Sequence, residues 1–190
     1  MGKFILVIIL ILLVIGGFGY YTYRTTGNTF GLDKTILTKG TINITTQEFA
    51  SGGKISIDFT CDGADLSPTL FLEHVPSDAK SLAIILDDSD STPKYFTHWL
   101  AFNISPEVGS IEGSKVLGNA TVGTNDFGNV EYDGPCPPPG ETHKYYFRIY
   151  ALDTMLDLDK STKRNTLDAA MNNHVIGKGE LVGEYSKVAN

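Results

Sequence analysis

The sequence predicts a mainly β domain made of two sheets, with one short helix near its C-terminal end and an apolar helix at the N-terminus. Three observations carry this. Short runs with strand character recur between turns rich in Gly, Pro and Asp. The chain is generous in Phe (10), Tyr (9) and Gly (20), residues that favour strands and turns over long helices. Beyond the N-terminal run, a single segment carries clear helix signals. Repeated short strands separated by turn signals mark a two-sheet β architecture. A length of 190 residues accommodates one domain and an appendage.

The appendage comes first. From Phe4 to Val14 every residue is apolar, and Ile15-Gly16-Gly17-Phe18-Gly19-Tyr20-Tyr21 prolongs the run before Arg24. This amounts to about 18 uncharged residues, close to the ~20 of a membrane-spanning helix. A cleaved signal peptide is the rival reading, with a shorter apolar region and an Ala-x-Ala-like site. Gly16-Gly17-Phe18-Gly19 is a poor version of that site, and the paired tyrosines suit a bilayer interface. Residues 1–24 are therefore read as a transmembrane anchor (or signal segment) and 25–39, polar and weakly patterned, as a linker. Lys3 and Arg24 nearly balance the positive-inside bias. The simplest topology is a protein anchored by this one helix, with its domain, 40–190, outside the cytoplasm.

Within the domain, Ile42-Asn43-Ile44-Thr45-Thr46 alternates in polarity. So does Ile55-Ser56-Ile57-Asp58-Phe59, which as a strand puts Ile55, Ile57 and Phe59 on one face. Residues 81–86 form a continuous apolar run, as expected of a strand covered on both sides, and 99–104 and 145–152 read the same way. Residues 180–185 supply a last strand. Thr166 can cap a helix through Leu167, Ala169, Ala170 and Met171, with Asp168 complementing the dipole of its first turn.

The formal charge is −7, and setting aside Lys3 and Arg24 makes the exported part more acidic still. Such a surface opposes nucleic acid and anionic membranes, so any anion site must be local. Cys61 and Cys136 both lie in the domain. In an oxidising compartment they can form one disulfide; two free buried thiols are the other reading. Asn43, Asn103 and Asn119 head glycosylation sequons, of which Asn103 falls in a strand read as buried.

Two loops concentrate polar groups and backbone breakers. Asp87-Asp88-Ser89-Asp90-Ser91-Thr92-Pro93 follows the strand read as ending at Leu86. Gly134-Pro135-Cys136-Pro137-Pro138-Pro139-Gly140-Glu141-Thr142-His143 precedes the strand from Tyr145, and between the two loops His98 opens the strand of Trp99. The bland readings are a rigid turn, a solvated acidic loop and a structural histidine. The functional one is convergence on a single pocket.

A set of motifs in order favours convergence. Cys61-Asp62-Gly63 with Ser67-Pro68, Asp88-x-Asp90-x-x-Pro93, His98-Trp99 and Asn125-Asp126-Phe127-Gly128 come first. Gly134-Pro135-Cys136-Pro137-Pro138-x-Gly140-x-x-His143-x-Tyr145 and Tyr150-Ala151-Leu152-Asp153 follow. Over about residues 41–187 the chain resembles the prokaryotic, Raf-kinase-inhibitor-like branch of the phosphatidylethanolamine-binding family. The resemblance implies a Greek-key β-sandwich with one short C-terminal helix. It also implies a shallow pocket for a phosphate-like anion, bordered by Asp88, Asp90, His98, Gly134, Pro135, Cys136, Pro137, His143 and Tyr145. There, Asp88 or Asp90 would accept from one ring nitrogen of His98 or His143 and favour an imidazolium whose other N–H meets the ligand. Tyr145 would add a neutral hydroxyl. The chain departs from the family in its first loop, Asp88-Ser89-Asp90-Ser91-Thr92-Pro93, which lacks a proline and carries an extra residue, and in Lys144, where Arg is usual.

The function expected is a non-catalytic binding module without metal or other cofactor. It would recognise a small anion, a phosphorylated headgroup or a peptide carboxylate, and could act as a protease inhibitor or signalling modulator with a protein partner. No nucleophile stands beside a base with an orienting third group. The alternatives are a metal-assisted hydrolase using Asp88, Asp90, His98 and His143, and an anchored scaffold whose pocket is vestigial.

Overall fold

The longest apolar runs of the sequence become the centre of the larger of two sheets. The computed structural model describes residues 40–113 and 120–189; the anchor and linker read over 1–24 and 25–39 lie outside the described residues, as does Asn119. Among the described residues no helix is long and apolar enough to cross a membrane.

The strands are β1 (Gly40–Thr41), β2 (Asn43–Thr45), β3 (Gly53–Lys54), β4 (Leu70–Glu73), β5 (Ser81–Asp88), β6 (Phe96–Ile104), β7 (Ser110–Ile111), β8 (Thr121–Val122), β9 (Thr142–Leu152) and β10 (Val175–Ser186). One helix, α1 (Arg164–Met171), precedes β10. The larger sheet runs β1-β10-β9-β5-β6-β8, with β3 also on β10, and the smaller runs β2-β4-β7. β9, β5, β6 and β8 are antiparallel neighbours in that order. Three consecutive strands with the fourth returned beside the first make a Greek key.

The larger sheet is covered on both faces at its centre, β5 and β6, which explains their continuous apolar runs. β9, read as covered on both sides, instead alternates buried residues with the part-exposed Tyr146, Arg148 and Tyr150. Leu82, Ile84, Leu86, Trp99, Phe147 and Ile149 pack with Ile44, Leu70, Leu72 and Ile111 of the smaller sheet. On the opposite face Ala83, Ile85, Leu100 and Phe102 pack with Leu156 and with Leu167 and Met171 of α1. The strand period of two divides β5 between these cores. In β6 the parity changes near Asn103, a residue in the left-handed region (φ 57°). Its side chain is tied to the Leu156 backbone in both directions at 2.8 Å, so this sequon nitrogen is already engaged.

Two expectations are corrected. Residues 55–59 do not form a strand: β3 ends at Lys54, and Ile57–Phe59 is a 3₁₀ turn. Ile55 is buried but Ile57 is half exposed. The alternating pattern found no partner strand, and bonds from the Thr60 amide and hydroxyl to the Ile57 carbonyl close the turn instead. The helix also starts earlier than Thr166. Lys163 is its N-cap, without a side-chain capping bond, and Arg164 anchors the first turn through ion pairs to Asp87 and Asp168. Asp168 is thus an i+4 partner of Arg164, beyond the first turn whose dipole it was expected to complement.

Candidate functional site

β5 runs two residues further than its apolar run suggests and carries a carboxylate to each face. Asp87 is fully buried among Arg148, Arg164 and the Thr97 hydroxyl, and is no part of a solvated loop. Asp88 faces the other way, opposite Phe96 on β6 and Tyr145 on β9. Between the pairs Leu86–Trp99 and Asp87–Thr97, His98 is left as an extra residue of β6. Such a bulge re-aims a side chain. Here the His98 ring meets Phe96, Phe127 and Tyr145 edge to face at centroid distances of 5.4, 5.2 and 5.3 Å.

The pocket so formed has a volume of about 390 Å³, within the usual range for small-ligand sites. Asp88, Asp90, His98, Cys136 and His143 line it, with Ser91, Thr92, Phe96, Phe127, Pro138 and Glu141. Of the other expected residues, Gly134, Pro135, Pro137 and Tyr145 are buried behind the wall. Gly134 must be glycine, since a Cβ there would come within 2.4 Å of the Phe59 carbonyl oxygen. A second groove, of about 420 Å³, is lined by Arg148, Tyr150 and Lys178, but its arginine is already paired with Asp87 and Glu180.

The two histidines hold their protons differently. His98 Nδ1 lies 3.1 Å from the Asp133 carbonyl and 2.9 Å from that of Gly134. Carbonyls only accept, so Nδ1 carries the hydrogen. Burial lowers the His98 pKa, outweighing the Asp88 charge and the two carbonyls; the ring is neutral and Nε2 is an acceptor. Its Nδ1 partners are therefore backbone carbonyls, and of the two histidines it is His143 that meets Asp88. His143 meets a carboxylate at each nitrogen, Asp88 at 2.7 Å from Nδ1 and Glu141 at 3.0 Å from Nε2. Burial pushes its pKa down, but the bonds and charges of Asp88 and Glu141 outweigh that and raise it overall. The arrangement favours an imidazolium, with its second N–H occupied by the exposed Glu141.

The acidic loop is pinned despite its missing proline. Asp88 Oδ1 accepts from the amides of Asp90 and Ser91 at 2.9 and 3.0 Å, and Asp90 Oδ2 accepts from the Lys144 amide at 2.8 Å. The Ser91 hydroxyl receives the Phe96 amide, and the Thr92–Pro93 peptide is cis. Asn125 Oδ1 takes the amides of Phe127 and Asn129, a local turn of the Asx kind that leaves Phe127 half exposed at the pocket. The Tyr145 hydroxyl is buried and completes no hydrogen bond of good geometry. Burial and the Asp88 carboxylate raise its pKa far above the ordinary phenol value, so it stays a neutral donor.

Cys61 and Cys136 are bonded, with Cα atoms 5.4 Å apart, which resolves the choice left open by the sequence. Among the described residues, no three His, Cys, Asp or Glu side chains are grouped to hold a metal ion. Sequence reasoning missed Ser91, Thr92, Phe96, Phe127, Pro138 and Glu141 as pocket residues. Glu141 was legible in principle, being two residues before His143 and four before Tyr145, the spacing of one strand face.

A Greek-key β-sandwich with a small polar pocket at one end of its larger sheet is the class that fold and site define. The family signature described as phosphatidylethanolamine-binding protein matches residues 45–186. The UPF0098 protein of Methanothermobacter thermautotrophicus is 42% identical over 151 residues, covering 77% of this chain and 99% of its own. A crystal structure of a phosphatidylethanolamine-binding protein homologue from Chlamydia trachomatis, 37% identical, superposes with a TM-score of 0.72 over 77% of this chain and 98% of that one. YbcL of E. coli, described as a member of the mammalian PEBP family, gives the same TM-score at 28% identity, over 76% and 98%. The chain belongs to the phosphatidylethanolamine-binding protein family.

Proposed function

We propose that this protein is a non-catalytic binding module whose pocket takes a small anion of the phosphate type, free or carried on a headgroup or peptide. The observation behind this reading is that His143 meets a carboxylate at each ring nitrogen, whereas His98 Nδ1 faces two carbonyls. Carboxylates at both ring nitrogens favour the imidazolium form of His143, and its Nε2–H is held by Glu141, an exposed carboxylate that an entering oxyanion can replace. His98 contributes an acceptor nitrogen to the same pocket, suited to a P–OH group. Asp88, Asp90 and Glu141 oppose a doubly charged ligand, so a singly charged ester or a zwitterionic headgroup fits best.

Two further features support binding over catalysis. The Cys136 sulfur is held in a bridge and both nitrogens of His143 meet carboxylates, so these two do not form a nucleophile–base pair. The exposed Phe127 ring beside the pocket offers apolar contact to a headgroup chain or to a protein partner such as a protease. We read the apolar N-terminal run as an anchor that keeps the domain outside the cytoplasm, where a disulfide persists.

The test is a titration of the purified full-length chain with phosphate and with phosphoethanolamine, following the imidazole NMR signals of His98 and His143. Both are expected to shift saturably, and Glu141→Gln to tighten binding by releasing the His143 N–H. Unmoved imidazoles at millimolar ligand would sink the reading.

A further inference from the structure

The Cys61–Cys136 bridge carries a cation. The Lys187 ammonium lies 3.5 Å from Cys61 Sγ and 3.7 Å from Cys136 Sγ. Asp62 holds it there at 2.8 Å, and the other Asp62 oxygen accepts from the Tyr185 hydroxyl at 2.7 Å. Those two bonds keep the Asp62 carboxyl below its usual range, so the clamp stays charged. Cys61 sits on an exposed turn, whereas Cys136 is half-buried on the pocket wall.

The two segments are also joined without the sulfurs. The Gly134 amide donates to Asp65 Oδ1 at 2.7 Å, the Tyr132 hydroxyl to the Phe59 carbonyl at 3.1 Å, and the Cys61 amide to the Pro135 carbonyl at 3.2 Å. Breaking the S–S bond therefore leaves the two thiols as neighbours, able to close again.

We propose that this bridge is a thiol-exchange site, open to external dithiols at Cys61 and assisted by Lys187. A thiolate of the dithiol attacks Cys61 Sγ. As the new S–S bond forms, the Cys61–Cys136 bond breaks and its electron pair leaves on Cys136 Sγ, facing the ammonium. The second thiol of the dithiol gives its proton to water and attacks its own sulfur in the mixed disulfide, releasing Cys61 as a thiolate that is then protonated. Two electrons pass to the protein, and the dithiol ends as its own disulfide. A neighbouring lysine favours a thiolate, and a better leaving thiolate departs faster. The carboxylates around Cys136 oppose this, but Asp88 and Glu141 are engaged by His143, Asp62 is engaged by Lys187, and Asp90 is exposed with one oxygen on the Lys144 amide. The Lys187 ammonium is the cation that meets both sulfurs. The site goes beyond the anion-binding reading and does not depend on it.

The experiment uses the oxidised full-length protein. A brief pulse of glutathione, quenched with acid and mapped by mass spectrometry, is expected to place the adduct on Cys61. In glutathione redox buffers, Lys187→Met should make the bridge about tenfold harder to reduce and slow its reduction several-fold. The reduced wild type should keep its near-UV circular dichroism. An adduct on Cys136, a Lys187→Met protein with wild-type rate and equilibrium, or reduction that occurs only on unfolding would each overturn the proposal.

Discussion

Because folding shifts the pKa values of His98 and His143 in opposite directions, the two rings set opposite limits on stability. The folded pKa of His143 is raised, so its contribution is fully present below the unfolded value of about 6.5 and is lost as pH rises through the folded value. The folded pKa of His98 is lowered, so its neutral, carbonyl-bonded form favours the fold above about 6.5 and turns against it as pH falls towards the folded value. Both limbs meet near the unfolded value. Denaturant unfolding across pH is expected to show His98→Gln flattening the acid limb and His143→Gln the alkaline one. If either substitution flattens the opposite limb, the protonation states assigned to the two rings are wrong.

At the scale of elements, α1 depends on partners. Eight residues without a side-chain cap are too few to be stable alone. Leu167 and Met171 bury one face, and Arg164 reaches through to Asp87, which Arg148 shares from β9. Asp87→Ala leaves two half-buried guanidinium groups without their shared partner. The expected cost is about 3–5 kcal/mol of unfolding free energy, with the amides of α1 losing hydrogen-exchange protection first. A loss below about 1 kcal/mol, ordinary for surface ion pairs, would refute this role for Asp87. This network also marks where the sequence was legible and where it was not. The runs at 81–86 and 99–104 could be read as strands because burial on both faces leaves an apolar signature, and 145–152 because aromatic residues fill its half-exposed second face. Residues 55–59 carried the same alternation, but a strand needs a partner, and pairing is non-local. Asp87 and Asp88 looked alike as neighbours in an acidic loop; only the extension of β5 sends one to the α1 face and the other to the pocket. His98 and His143 were visible as candidates. The bulge that turns His98 towards Tyr145, and the Glu141 that occupies His143, depend on register and so left no sequence signal strong enough to act on.

For the whole molecule, the question is whether the pocket needs the disulfide or merely the chain does. The bridge closes a separation of 75 residues, and the chain-entropy account assigns such a loop about 4 kcal/mol, acting on the unfolded ensemble. The native contacts between the joined segments, among them Gly134 to Asp65 and Tyr132 to Phe59, do not pass through sulfur. A Cys61→Ser, Cys136→Ser double variant should therefore lose up to about 4 kcal/mol and show a steeper denaturant dependence, because its unfolded chain is freer to expand. Its folded state should nevertheless keep the imidazole chemical shifts of His98 and His143. An unchanged denaturant slope together with displaced histidine signals would mean that the bridge shapes the native pocket instead. Its stabilisation would then belong to the folded state, and reduction at Cys61 would remodel the site where the anion is proposed to sit.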